Sequence, residues 1–514
     1  MKRMGRILVL NMGMKSIRSI VFDQDGNKVA DSFMPIETLL QEEKVTQNPR
    51  EWWEKGCNVI AKTVEMAGSE TIDYITVTAS ASCMVCVDKE CEPLLPCMMV
   101  SDRRARKESG LLKKNGYFPE VYQKTGLDMD PYLMLPRVLW VKNNMPEIFE
   151  KTYKFLAPND YLIVKLSGGC AVTDYINAQK WHYLIEEERY PTELIEDIGI
   201  SDDKLPTVVS PGTFIGHISA KAADETGLST KTKIIVSTYD AICSFIGSGI
   251  SQFGEASDVS GTVTVFRTAF YDKPNKSSNK IQQIPFKEAG LYIVGGSNNM
   301  GGGLIEWTKQ CYYQSESLPY ELMEKDAKEA GVGAGGLIFL PYLMGERAPI
   351  WDCDARGVFF GLERIHTRKE MTRAIFESTG FINLDMIEAI EEIGGRVDTI
   401  RLSGGLARIG LISQIKADIT GRDVEVLEEF ETTSSGAAII ALYGQKIYAS
   451  LKEAAERFSR IRMIIKPNRK NHEEYQRLYG LYKETYRTLK PLFSKRIQIV
   501  NELLENKKDR IENL

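Results

Sequence analysis

The spacing of apolar and polar positions changes period several times along the first 90 residues. "RILVLNMG" and "IRSIVFD" are short apolar runs, separated by a polar patch at Lys15, Ser16 and Arg18. Asp25-Gly26 then signals a hairpin turn. The pattern predicts strands near 6–11, 17–23, 28–34, 72–79 and 83–88. Between them, "NPREWWEKGCNVIAKTVEMA" has helical spacing, with Trp53, Cys57, Ile60, Ala61 and Val64 expected on one face. Residues 135–168 read as two helices split near Asn143–Pro146. "HISAKAADETGLSTKTKIIVSTYDAICSFIGSGI" reads as helix, glycine turn, strand and glycine-flanked helix.

A second block opens at 254–270, "GEASDVSGTVTVFRTAF", with a polar stretch, a glycine loop and a strand. Ser260-Gly261-Thr262 thus stands at the head of this block as Asn11-Met12-Gly13 stands at the head of the first, with no fixed sequence repeat. The expected organisation is two α/β domains, each a mixed sheet covered by helices, at 1–250 and 251–450. A charged helical extension, 451–514, reads as a solvated closing helix pair with a fraying end; a basic tail that binds a partner is the other reading.

Composition narrows the functional classes. The 514 residues contain no apolar run near the ~18 residues of a membrane span. The apolar stretch after "MKR" is too short for a signal peptide and lacks a small-residue cleavage site, so a cytoplasmic location is expected. A net charge of −5 argues against a general nucleic-acid binder. Nine cysteines, an odd number, fit reduced thiols. Cys83, Cys86, Cys91 and Cys97 cluster suggestively for zinc, but Cys83 and Cys86 on a strand would point to opposite faces. None of the four histidines pairs at a ligand or triad spacing, so histidine-centred catalysis is not expected.

Three glycine-bearing loops carry candidate chemistry: Asn11–Arg18 with Gly13, 259–265 with Gly261 and Thr262, and 400–421 with Ser403-Gly404-Gly405. Glycine lets main-chain N–H groups face an oxygen or a flat ring without a Cβ in the way; each loop alone also reads as a tight turn. The third runs into a helix with Ile412, Ile415 and Ile419 inward and has no lysine at the helix start, so it is not a P-loop. Asp240 follows an apolar strand directly and is either a helix cap or a general base. "SDRRARKE", with Asp102, Arg103, Arg104 and Arg106, is either a solvated helix start or a clamp on polyhydroxyl oxygens.

Residues 333–379 carry a long composite motif: Gly345-Glu346-Arg347, Pro349, Trp351-Asp352, Ala355-Arg356-Gly357, Gly361-Leu362 and a helix ending at Glu377. This stretch closely resembles the C-terminal core of the FGGY carbohydrate kinases. The resemblance runs in order over 6–446 through "QNPREWWE", "TGLDMDPYLMLPRVLW", "TDYINA", "VSTYDAICSFIG", "SGT", "LSGGLA" and "SSGAAIIALYG". It implies two actin-like ATPase domains of the ribonuclease H-like, hexokinase type, with ATP and sugar in a cleft between them. It further implies transfer of the γ-phosphate of Mg-ATP to a hydroxyl of a small sugar or polyol, with xylulokinase-type members nearest.

By that resemblance Asp240 is the base. Gly13, Lys15, Ser16, Arg18, Gly261 and Thr262 hold phosphates, and Gly404, Gly405 and Ala407 take the adenosine. Ser82, Asp102, Arg104 and Tyr132, with Asp240, line the sugar pocket. Asn11 meets Mg2+ through water. The expected partner is a small molecule, without nucleic acid or membrane; pairing of two copies is left open. The chain departs from the family's Asp-x-Gly-Thr-Thr/Ser-Ser-x-Arg loop at Asn11, Met14 and Lys15. It has Ser80-Ala81-Ser82-Cys83 where xylulokinases carry Gln-Met-His-Gly. A second reading follows from these departures: a sugar- or nucleotide-binding regulator on the same fold with weakened catalysis.

Overall fold

In the computed structural model, which describes residues 5–41, 43–68, 72–250, 252–274 and 278–512, the first apolar run becomes a central strand. Strands β1 (Arg6–Met12), β2 (Ser16–Phe22) and β3 (Lys28–Pro35) form an antiparallel meander. β4 (Ile72–Ala79) lies parallel to β1, and β5 (Phe214–His217) and β6 (Lys233–Val236) complete a sheet of order β5-β6-β4-β1-β2-β3. Ile7, Leu8, Val9, Leu10 and Met12 are all buried. A strand covered on both faces needs no alternation, which is why the run is continuous.

Helix α1 (Pro49–Ala67) packs on this sheet, opened by Pro49 and by Asn48, whose side chain accepts the Arg50 N–H. Its buried stripe is Trp52, Gly56, Val59, Ile60, Thr63, Val64 and Ala67. That corrects the expected face: Trp53 and Cys57 are half-buried and Ala61 is exposed. Trp52 donates its indole N–H to the buried Gln47 at 3.0 Å, and Gly56 approaches the Ile17 side chain, so a polar anchor and a close contact set the rotation. Residues 135–168 also differ from expectation. They belong to three helices, Met134–Asn144, Pro146–Lys151 and Pro158–Ser167, with a short strand Lys154–Leu156 between the last two. Pro146 and Pro158 each open a helix, where a missing N–H costs nothing. The strand expected at 83–88 is only Val85–Val87, so Cys83 lies outside it and the opposite-face argument does not apply. Burial pushes the Cys86 thiol up to about 12.

α2 (Asp240–Gly247) follows β6 after three residues. The "polar" stretch after it is itself a strand, β7 (Gly254–Ser260), with Ser257, Asp258 and Ser260 fully buried. Then come β8 (Thr264–Phe270), β9 (Gln282–Phe286), β10 (Leu291–Asn298), α3 (Gly302–Tyr312) and the long α4 (Arg368–Glu392). β11 (Val397–Ser403), α5 (Gly410–Thr420), β12 (Asp423–Leu427), α6 (Thr432–Gly444), β13 (Ile461–Ile465) and α7 (Arg469–Glu512) follow. The second sheet has the order β9-β10-β8-β7-β11-β12-β13. β7 is antiparallel to β8 and parallel to β11, as β1 is to β2 and β4. The echo between the two blocks is therefore topological.

By contact the chain forms two units. One is Met1–Ser251 with Ile284–Leu291 and Glu431–Ser459; the other is Gln252–Gln283 with Tyr292–Phe430 and Arg460–Leu514. The linear division at 250 and 450 misses the returning segment. α6 packs on α2 at backbone distance: a Cβ on Gly436 would lie 1.7 Å from the Cys243 carbonyl oxygen, and one on Gly247 1.9 Å from that of Thr432. The final sixty residues are also more than a solvated pair. β13 extends the second sheet, and α7 buries Tyr475, Tyr479, Tyr482 and Phe493 in the second unit's core with Phe381. The very end, 513–514, lies outside the described residues. Among the described residues no helix is long and apolar enough to cross a membrane.

Two glycines give opposite expectations. Gly436→Ala should destabilise by about 3 kcal/mol or more, because α2 and α6 must separate. Gly480→Ala, on the exposed side of α7 with nothing within 4 Å, should stabilise by about 0.5–1 kcal/mol. Urea denaturation of the two variants checks both signs.

Candidate active site

In the first unit, the carboxyl ends of three parallel strands lie side by side. Asn11 of β1 pairs with Thr78 of β4, and Val236 of β6 with Val77. Open α/β sheets bind ligands beyond such ends. The segments leaving them are Gly13–Lys15, Ser80–Cys83 and Ser237–Asp240. The Ser80 N–H donates to the Met12 carbonyl at 3.2 Å, and the Ser80 hydroxyl donates to Asp240 Oδ2 at 3.1 Å. Asp240 is the first residue of α2 rather than its cap, which is Tyr239. Asp240 Oδ1 accepts the N–H of Ala241 at 2.7 Å. The half-buried carboxylate therefore lies at a strand-to-helix junction, in the favourable field of the helix start.

The first glycine loop is closed by the Gly13 N–H donating to the Ser16 carbonyl at 3.0 Å. Lys15 is exposed at its tip, and Arg18 lies opposite Asn11 across β1 and β2. Asn11 is nearly buried and donates Nδ2 to Glu431 Oε1 at 3.2 Å and to Ser434 Oγ at 3.1 Å. A carboxylate can only accept, so the amide nitrogen must face Glu431. Glu431 Oε2 accepts the Ser434 N–H at 3.0 Å and opens α6. The carboxylate absent at position 11 is thus present one side chain away, on a residue the sequence reading missed. Mg2+ usually takes one or two carboxylates, keeps several waters and binds phosphate oxygens. Asn11 and Glu431 fit that kind of donor set.

The segments that carry Ser82 and Asp102 are tied together by a residue that sequence reasoning also missed. Arg137 is fully buried and donates to the carbonyls of Ser82 at 2.6 Å, Met98 at 3.0 Å, Met99 at 2.6 Å and Pro131 at 3.3 Å. Its signal was a lone arginine inside the apolar helix "LPRVLWV". Ser82 itself has a left-handed φ of 57°. Asp102, expected to line the sugar pocket, has its side chain buried and engaged within the protein. Its two oxygens accept from Arg104 N, Arg104 Nε and Nη2, and Val45 N, at 3.2, 2.9, 2.7 and 2.9 Å. Four donors saturate a carboxylate, so Asp102 orients Arg104. Arg104 is also laid over the Trp140 ring at 5.1 Å.

In the second unit, Gly261 and Thr262 are exposed between β7 and β8. Their carbonyls are held from behind: Gly302 N–H donates to Gly261 O at 2.7 Å, and Gly301 and Gly303 donate to Thr262 O at 3.1 and 3.0 Å. The run Gly301-Gly302-Gly303 before an amphipathic helix was the overlooked signal. The composite motif braces this segment. Glu346 Oε1 accepts the Asn299 N–H at 2.6 Å, Asn299 Nδ2 donates to the Gly345 carbonyl at 2.9 Å, and Arg347 donates to the Asn298 carbonyl at 3.1 Å. Burial pushes the Glu346 carboxyl up to about 7. In the third loop, a single 3-10 turn, Gly405–Arg408, swings Leu406 and Ala407 into the core. Ala407, expected at the adenosine, is buried, and Gly404-Gly405 forms the outward part.

The glycines of these loops divide into two kinds. Gly404 is required by the fold: its φ is +83°, and a Cβ would lie 2.6 Å from the Ser260 carbonyl oxygen. Gly13, Gly261 and Gly405 are not: none has a left-handed φ, and the first protein atom a Cβ would meet is at 3.6, 3.8 and 4.0 Å. One such glycine falls in each of the three loops, and at each the fold leaves room for a Cβ.

Comparison with known proteins agrees with this anatomy. Residues 6–247 match the N-terminal domain and residues 259–444 the C-terminal domain of the FGGY family of carbohydrate kinases. The chain is similar to the xylulose kinase of Bacillus subtilis (strain 168), 29% identical over 496 residues, covering 95% of this chain and 98% of that one. It is similar to a glycerol kinase of Saccharolobus islandicus (strain L.S.2.15 / Lassen #1), 29% identical over 460 residues, covering 87% and 89%. The crystal structure of gluconate kinase from Lactobacillus acidophilus superposes with a TM-score of 0.88 at 26% identity, over 96% of this chain and 99% of that chain. With both family domains matched in order over most of its length, the chain belongs to the FGGY family of carbohydrate kinases.

Proposed function

We propose that this carbohydrate kinase transfers the γ-phosphoryl group of ATP to a hydroxyl of a small sugar or polyol, and that its acceptor is nearest in class to that of the xylulose kinases. The observation that carries the nucleotide half is the set of three glycines, Gly13, Gly261 and Gly405, that the fold itself does not require. Main-chain N–H groups in open loops suit phosphate oxygens and ring edges. The acceptor half rests on Asp240 beside Ser80, on Ser82 held by Arg137, on Arg104 held by Asp102, and on Tyr132 beneath Arg103.

In this reading Asp240 takes the proton of the attacking hydroxyl, and Ser80 holds its second oxygen in place. Such a base contributes typically ~10²–10⁴-fold. Lys15, Ser16 and Arg18 offer cations and a hydroxyl to the phosphates, and Arg104, aligned by Asp102, offers donors to sugar oxygens. Bound Mg2+ would neutralise charge on the phosphate oxygens, held through water by Asn11 and Glu431. Gly404-Gly405 supports the adenosine. Phosphoryl transfer asks mainly for positioning and charge neutralisation, which is what these groups supply.

Asn11 favours a second reading, a binder with weakened catalysis, since an amide brings no charge to the metal. Glu431 at 3.2 Å answers it by supplying that charge.

Turnover of an array of pentuloses, aldonates and polyols with ATP, read as sugar-dependent ADP release, tests the reading. One sugar class should stand out, and Asp240→Asn should lose at least about 100-fold in kcat while still binding sugar; full turnover in that variant rejects Asp240 as the base. Asn11→Asp is expected to lower the melting temperature without Mg2+, because two carboxylates would then meet, and to leave kcat no higher. A tenfold gain in kcat would instead favour the weakened-site reading.

A further inference from the structure

Beneath the second glycine loop lies a buried ion pair that the reaction does not call for. Lys416 of α5 and Asp258 of β7 are both fully buried, and Lys416 Nζ bonds Asp258 Oδ2. The same oxygen accepts Asn383 Nδ2 of α4 at 2.5 Å. Asp258 Oδ1 accepts the Ser260 hydroxyl at 2.5 Å, and Lys416 Nζ also donates to Ser260 Oγ at 3.0 Å. Ser260 Oγ lies 3.3 Å from Thr264 Oγ1 at the start of β8.

Ser260 is the residue immediately before Gly261, and its backbone is the surface on which Gly404 rests. α5, which carries Lys416, begins at Gly410, directly after the third loop. One hydroxyl and one ion pair therefore join both arms of the second loop to the helix that anchors the third.

An apolar pair of similar volume would fill this interior, which includes Ile400, Leu402, Ala417 and Val424. Buried ion pairs carry a desolvation cost that often leaves them no more stabilising than such a replacement. What apolar side chains cannot do is fix a hydroxyl and a helix in one relative position by directional bonds. We infer that Asp258 and Lys416 are positioning residues for the nucleotide. They hold Ser260, and so set the spacing between the loop offered to phosphate, Gly261-Thr262, and the loop offered to the nucleoside, Gly404-Gly405. This inference rests on the nucleotide reading above.

The test uses the full chain and the double variant D258N/K416M, which removes both charges together and leaves neither unpaired. Mg-ATP affinity is measured directly by calorimetry, and KM for ATP, KM for the acceptor, kcat and melting temperature are measured beside it. The expected result is a tenfold or greater loss of ATP affinity, with acceptor KM within twofold and melting temperature within a few degrees of the unmodified chain. Unchanged ATP affinity, or a uniform loss of kcat, both KM values and stability, would overturn the inference and leave the pair a core element. If the double variant does not fold, Ser260→Ala, which removes only the connecting hydroxyl, is held to the same criteria. An unmodified chain that binds no ATP would reject the nucleotide reading itself; one that binds ATP and phosphorylates no sugar would leave the positioning test intact, because the affinity is read without turnover.

Discussion

Two helices that touch at their backbones govern the first unit. At Gly247 and Gly436 no side chain fits between α2 and α6, and there the helices meet backbone to backbone. The contact leaves little freedom to slide, because interiors pack at crystal-like density. It fixes the helix that begins with Asp240, and it fixes the helix opened by Glu431, whose carboxylate reaches Asn11. A base candidate and a missing charge are thus both set by the same pair of absent Cβ atoms.

The second unit repeats the strand plan with different glue. Where β1 presents Asn11 to a carboxylate on a helix, β7 presents Asp258 to a lysine on a helix. Asn11 and Asp258 both find partners, as a low-dielectric interior demands. The composite motif around Gly345-Glu346-Arg347 belongs to the same economy. Its carboxylate, backbone and guanidinium hold residues 298–299, and the glycines that follow carry the second loop's carbonyls.

Much of the fold was legible because its signals are local. The β1–β2–β3 meander, α1 and the β6–α2 junction follow from period, caps and turn residues. α1's rotation was not legible: adjacent tryptophans offer two faces, and a glutamine just ahead of the helix chooses between them. β7 was hidden because its central carboxylate, Asp258, is satisfied by partners more than a hundred positions away. Among site residues, the glycine loops and Asp240 stood out by chain position. Arg137 and Glu431 did not, since each acts through neighbours that only the folded chain supplies. The protein partners of two expected site residues were equally hidden: Asp102 is bound to Arg104, and Ala407 is packed in the core.

The return of Glu431–Ser459 to the first unit has a consequence for synthesis. A ribosome makes α2 first and must add the whole stretch from 248 to 430 before α6 exists. At about 5–20 residues per second, that interval lasts roughly 10–40 s. Throughout it the glycine face of α2 has no mate, and Asn11 has neither Glu431 nor Ser434 to bond. The completion of the first unit is therefore timed by the far end of the message.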